Sequence, residues 1–465
     1  MSIANQFAYF ALFGWPAVCV ALFLRLRVES AAICSLLGAY MLLPANLEVQ
    51  VPYLPPLDKT SIAALTTFLL CWIKAPAMPA RRPALVVYLL CAGFVFSPLL
   101  TSFDNNYELQ IAGGSIPGFY PIDAFKYIGR HLIMLLPFFI AFRFLSTDYG
   151  RKLLLTSVPL AVLFYSPLML FELRMSPQLH NWVYGYFPSS FAQQIRDSGF
   201  RPVVFLSHGL ELALITSMAL ISALILARGK LRLVRVPASA IAVYFSGLLL
   251  LCKSLGPTMY AFMLAPVIWL TRPRAWVKVT CVILLVISVY PALRTAKLIP
   301  LNAVVSISDL VSADRSASFQ MRVMNEEQLL AKANEKPLFG WGAWGRNRLY
   351  DEWTGRSTSV TDGGWIIVFG VWGWLGYLST FVLFAACALR AHREIGRDSG
   401  PASVTLGGLC LLLTVYVLNM LPNTTNMMLP LLLAGSIATS AKAAARQPVW
   451  RSSTTHVQAQ AAPAT

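Results

Sequence analysis

Residues 402–421 read ASVTLGGLCLLLTVYVLNML, twenty residues without one charge. At about 1.5 Å per residue such a run crosses the ~30 Å hydrocarbon core of a bilayer as a single helix. Working outward from it, comparable apolar runs recur at 6–24, 30–45, 61–76, 83–101, 127–146, 153–172, 203–227, 236–252, 256–271, 277–291, 363–389 and 427–441, separated by polar joints. With 402–421 they make thirteen spans; 30–45, 256–271, 277–291 and 427–441 are short, so twelve is the alternative count. Composition agrees. The 465 residues are 57% hydrophobic and 12% charged, against about 25% charged in a soluble domain, and the mean hydropathy is +0.63. Disorder needs low hydrophobicity and is excluded. The expected fold class is an all-α polytopic membrane protein of about 12–13 transmembrane helices. One integral membrane domain fills 1–451, and a polar, Ala-rich tail at 452–465 is read as disordered and cytoplasmic.

Charge placement orients the chain. Assigning alternate joints to alternate sides puts 21 of the 37 bases and four of the 20 acids on one side, so that side carries the whole +17. Its bases include Arg25, Arg27, Arg143, Arg151, Lys152, Arg228 and Arg390. The positive-inside rule makes that side cytoplasmic. No basic stripe is continuous, so a nucleic-acid footprint is not expected. All eight cysteines lie inside apolar runs and none forms a CxxC, which supports neither a disulfide framework nor a zinc site.

The other side holds three longer loops, 102–126, 173–202 and about 292–362. A loop as long as the last is commonly functional. Within it Phe319, Val323, Met324 and Leu330 recur at helical spacing, so a surface helix is expected over 317–334, with Ser316 or Ser318 able to cap it. The loop either caps the bundle or forms a lid over an active site. Just ahead of the run at 203–227 stands Arg201, and the spacing places His208 about two helical turns further in, with Glu211 on the same face at i+3. Ionisable groups at such depth are functional candidates; the alternative is a His208–Glu211 hydrogen bond inside the bundle. Lys253, in the hairpin Lys253-Ser254-Leu255-Gly256-Pro257, either snorkels or lines a phosphate-holding cavity. Arg315, Arg322, Arg346 and Arg348 are natural anion ligands, and Gly340, Gly342 and Gly345 can form a backbone nest for an anion.

Taken in order, these stretches resemble the O-antigen ligase and O-antigen polymerase superfamily. The resemblance is carried by Arg201-Pro202 through Ser207-His208-Gly209, the hairpin Ser254-Leu255-Gly256, and Arg322 followed by Lys336-Pro337-Leu338-Phe339-Gly340-Trp341-Gly342. It continues through Val360-Thr361-Asp362-Gly363-Gly364-Trp365-Ile366 and Gly370-Val371-Trp372-Gly373-Trp374-Leu375-Gly376. It implies a C-type glycosyltransferase-like bundle in the bacterial inner membrane, taking a glycan from an undecaprenyl-diphosphate donor on the periplasmic side, with no metal and no cofactor. Arg201 and Arg322 match the family's arginines that hold the diphosphate. The implied partners are the lipid-linked donor and acceptor, membrane lipid and a polysaccharide chain-length regulator, with no nucleic acid. Many ligases carry His-Asn where this chain has Asp362-Gly363, and the usual Ser-Arg-Gly hairpin here reads Ser-Leu-Gly. The missing histidine favours a polymerase over a ligase. The product class, O-antigen, capsule or exopolysaccharide, stays open.

The chemistry needs two things: positive charge on the leaving diphosphate, and a base for the acceptor hydroxyl. Arg201, Arg322 and Lys253 can supply the first, with Arg315, Arg346 and Glu211 as further substrate contacts. Asp362 and His208 are the candidate bases; if His208 lies beside the arginines, Asp362 is the better one. Trp341, Trp344 and Trp365 either stack on sugar rings or anchor the chain at the membrane interface. The rival readings are a transporter or flippase, and an assembly protein without chemistry.

Overall fold

The computed structural model describes residues 4–438 except 53, 76–82, 197–198, 300–312 and 397–398, and for 313–319 the helical backbone alone. Each of the thirteen apolar runs forms a helix: α1 Gln6–Arg25, α2 Val28–Leu42, α3 Lys59–Lys74, α4 Leu85–Phe103, α5 Pro121–Ile140, α6 Asp148–Met175, α8 Gly209–Arg228, α9 Ala238–Leu251, α10 Leu255–Leu270, α11 Pro273–Ser288, α14 Gly364–Glu394, α15 Pro401–Asn419 and α16 Met428–Ile437. The short α7 Leu179–Tyr184 and α12 Tyr290–Thr295 and the loop helix α13 Ala313–Asn334 complete the helices among the described residues. The loop helix begins four residues ahead of its expected start. Among the described residues, strands are confined to three two-stranded pairs, 109–111 with 114–116, 195–196 with 199–200, and 232–233 with 236–237.

Among the described residues, seven helices are long and apolar enough to cross a membrane: α1, α4, α5 with the π-turn that extends it to Leu145, α6, α8, α14 and α15. The other six are 10 to 16 residues long, below the ~17 residues a full crossing takes. Helicity of the apolar runs follows from solvent: in hydrocarbon every backbone group needs a partner within the protein, and a helix supplies nearly all of them itself. Helices α8 and α15 are buried along most of their length and form the centre, whereas α1 leaves most of its side chains exposed.

Several of the joints meet in two groups, one basic and one among the longer loops. At the basic end Arg27 lies over Tyr149, Arg143 over Trp72, and Lys74 donates to Phe23 O. There also Arg151 meets Glu394 at 3.7 Å and donates to Ser436 O. At the loop end His180 accepts from Ala45 N, Asn46 donates to Pro188 O, Arg130 meets Glu48 and Lys336 meets Asp104. The residues of the expected tail lie outside the described residues.

One feature of α14 governs the loop end. The helix opens at Gly373 (φ 60°, ψ −162°), a conformation essentially restricted to glycine. The chain at 337–342 fills the break: Trp341 N and Gly342 N donate to Gly370 O and Val371 O, while Trp374 N and Leu375 N donate to Pro337 O and Leu338 O. Thr101 of α4 and Asn105, just past its end, hold the same strip by Phe339 O and Gly340 O. A Cβ on Gly340 or Gly373 would stand 2.5 Å from the opposing backbone. The glycines at 340 and 342 therefore serve a backbone junction. The expected anion nest is not formed there, because the donor N–H groups of Trp341 and Gly342 are already used.

Candidate functional site

A 3₁₀ turn at Phe191–Gln194 and the hairpin Ile195–Arg196/Gly199–Phe200 deliver Arg201 to the side of Lys253. Arg201 N donates to Gln194 O, and its guanidinium donates to Lys253 O at 3.0 Å; Lys253 Nζ in turn donates to Arg196 O at 2.8 Å. Arg201 is 5% exposed. Its alkyl stem lies across Gly209, where a Cβ would come within 2.3 Å of Cδ, so only glycine fits beneath it.

The position of His208 corrects the sequence reading. The buried carboxylate of Glu172 accepts from Val203 N and Val204 N, both at 2.7 Å, and Val204 takes φ 55°, so the chain turns here instead of starting a helix. Helix α8 begins at Gly209, and His208 is its N-cap: Nδ1 accepts from Leu210 N at 3.0 Å while Nε2 meets Gln193 Oε1 at 3.2 Å. His208 is thus at the helix end, not two turns inside it. Glu211 faces elsewhere, accepting from Ser207 N and Ser207 Oγ and lying near Tyr40 and Lys59. Burial, then the charges of Arg201, Arg196 and Arg322, push the imidazole down to about 4, so it is neutral at pH 7.

A second group faces this one from the loop. Arg322 Nε lies 3.4 Å from Asp362 Oδ2, both side chains about two-fifths exposed. One turn along α13, Glu326 is drawn inward: its carboxylate lies 3.6 Å from Arg294 and accepts from Trp365 Nε1 at 3.3 Å. Burial pushes its carboxyl up to about 7, against the opposing pull of Arg294. Arg322, Glu326, Arg294, Tyr290, Val323, Leu421 and Pro422 line a cavity of about 180 Å³. The Nη2 of Arg294 is buried without a hydrogen-bond partner among the described residues.

The remaining expected site residues have structural surroundings. Arg346 is fully buried and donates to Trp341 O, Tyr107 O and Pro117 O, pinning the 337–348 loop to the 109–116 hairpin. Trp341 is 5% exposed, donates to Lys332 O and lies under Lys332 Nζ. Trp365 is fully buried, edge-on to Tyr290 at 4.8 Å, which leaves it no face for a sugar; it holds Glu326 instead. Trp344 is exposed and meets Phe119 edge-on. The side chain of Arg315 lies outside the described residues.

Sequence reasoning passed over Glu326 and Arg294. Glu326 carried one signal: it stands at i+4 from Arg322, on the same helical face. Its burial depends on contacts with α12 and α14 that no local pattern reveals. Among the described residues no group of three or more His, Cys, Asp or Glu is placed to hold a metal ion. No protein-family model matches the chain, and no curated protein matches it by sequence.

Proposed function

We propose that this chain is a membrane glycosyltransferase that polymerises undecaprenyl-diphosphate-linked oligosaccharide repeats on the periplasmic face of a bacterial inner membrane, within a C-type bundle. The observation that carries the reading is the convergence of Arg201 and Arg322, from opposite ends of a 121-residue interval, on the surroundings of one imidazole. Arg196 and Lys253 stand on the Arg201 side of the same region. Guanidinium groups in a partly dehydrated site bind phosphate oxygens bidentately and neutralise charge as it grows on a leaving diphosphate. With His208 neutral, the site's charge is set by the bases and the carboxyl groups of Asp362 and Glu326. His208 caps α8 and orients Gln193 in this reading.

The reaction is direct displacement: the acceptor hydroxyl attacks the anomeric carbon while the lipid diphosphate departs. The test is the glycan that accumulates when the gene is deleted. A polymerase leaves single lipid-linked repeats on the exported side. Finished polymer on its lipid carrier indicates a ligase instead, and repeats held on the cytoplasmic side indicate a flippase.

A further inference from the structure

We propose that Glu326 accepts the proton of the attacking hydroxyl, held for that task by Arg294 and Trp365, and that Asp362 does not. The proposal rests on the glycosyltransferase reading and deepens it. Glu326 lines the cavity together with Arg322, so a sugar bound by its diphosphate at Arg322 brings an acceptor within reach of this carboxylate. Arg294 lines the same cavity and holds the Glu326 carboxylate at 3.6 Å, which fixes its place there. Asp362 is placed differently. It is about two-fifths exposed and engaged with Arg322, the group a diphosphate would draw away from it.

Among the described residues, the charged and titratable groups around Glu326 come from two helices and the segment before α14. They are Arg294 and Tyr290 from α12, Arg322 from its own helix, and Asp362 from the segment before α14. Trp365 of α14 supplies an N–H, and Leu421 and Pro422 close the cavity without charge. Burial raises the carboxyl and Arg294 restrains the rise, leaving it near 7, suited to both accepting and releasing a proton at neutral pH.

In the step, the acceptor hydroxyl oxygen forms a bond to the anomeric carbon. The bond from that carbon to the diphosphate oxygen breaks, and its electron pair leaves with the polyprenyl diphosphate. The hydroxyl proton passes to Glu326, which returns it to water.

The experiment uses the full chain in lipid nanodiscs, with the lipid-linked repeat extracted from the deletion strain as substrate. Polymer formation is followed between pH 5.5 and 8.5. The wild-type rate is expected to rise with pH through about 7, because the carboxylate is the active form. Glu326→Gln is expected to lose about 100-fold or more and to lose that rise. Glu326→Asp keeps the rise at a reduced rate, and Asp362→Asn keeps the rise at whatever rate its altered anion site allows. A Glu326→Gln protein that elongates within tenfold of wild type, or slower but with the rise intact, overturns the proposal. If that variant fails to accumulate in membranes, Glu326→Asp decides, and a rate independent of pH overturns it. A wild-type chain that makes no polymer removes the glycosyltransferase reading itself, an outcome distinct from an active wild type with an active Glu326→Gln.

Discussion

The Arg322 guanidinium stands 3.4 Å from the Asp362 carboxylate and joins the loop helix to the residue two positions ahead of α14. Both partners are substantially exposed, and exposed pairs of this kind contribute about 0–1 kcal/mol. Its importance lies in competition. In the proposed reaction a diphosphate, with more charge than a carboxylate, would compete with Asp362 for Arg322.

Asp362→Asn is therefore expected to leave thermal stability within about 1 kcal/mol of wild type and to tighten binding of inorganic pyrophosphate. Calorimetric titration of the purified protein checks this. Weaker binding in the variant would show that Asp362 supports the anion site instead of competing for it.

Arg201→Ala and Arg322→Ala are each expected to abolish chain elongation while the protein still reaches the membrane. Glycan ladders on gels, read beside immunoblots of membrane fractions, provide the measurement. Wild-type ladders from both variants would remove the diphosphate assignment.

Gly209→Ala tests the seat of Arg201 without touching its charge. The new methyl group would meet Cδ at 2.3 Å and Cγ at 2.4 Å, so the arginine stem must move. Elongation is expected to fall by about tenfold or more, since misplacement of about 1 Å can cost 100-fold. An unchanged ladder would mean that Arg201 acts from more than one position.

Gly373→Ala is expected to destabilise the protein by about 3 kcal/mol or more, through backbone strain compounded by contact with Leu338. Thermal unfolding in detergent checks it, with Gly14→Ala in α1 as the control, because a Cβ there meets nothing within 4 Å.

The helices were legible because the bilayer leaves an apolar run few alternatives, and all thirteen runs became helices. Span length was less legible. The run at 127–146 belongs to a helix that starts six residues earlier, at Pro121, and the run at 203–227 to one that starts six residues later, at Gly209. Arg201 and Arg322 stood out because a base beside aromatics at a run's edge is conspicuous. His208 was placed too deep because hydropathy counts Val203, Val204 and Phe205 as span, whereas Glu172, 31 residues upstream of Val203, pulls their backbone into a turn. The glycine-rich motifs looked chemical and turned out to be architectural. Their meaning lies in pairing 337–342 with 370–375, a relation between two segments that neither reveals alone.

That pairing sets a schedule for biogenesis. The amino-terminal half of α14 does not satisfy its own main chain at Gly370–Leu375; it borrows partners from a strip about thirty residues upstream. The strip leaves the ribosome first and must wait at the correct side of the lipid when α14 arrives. A delayed or mislocated strip would leave Trp374 N and Leu375 N without these acceptors, and the helix without its closing bonds at the break.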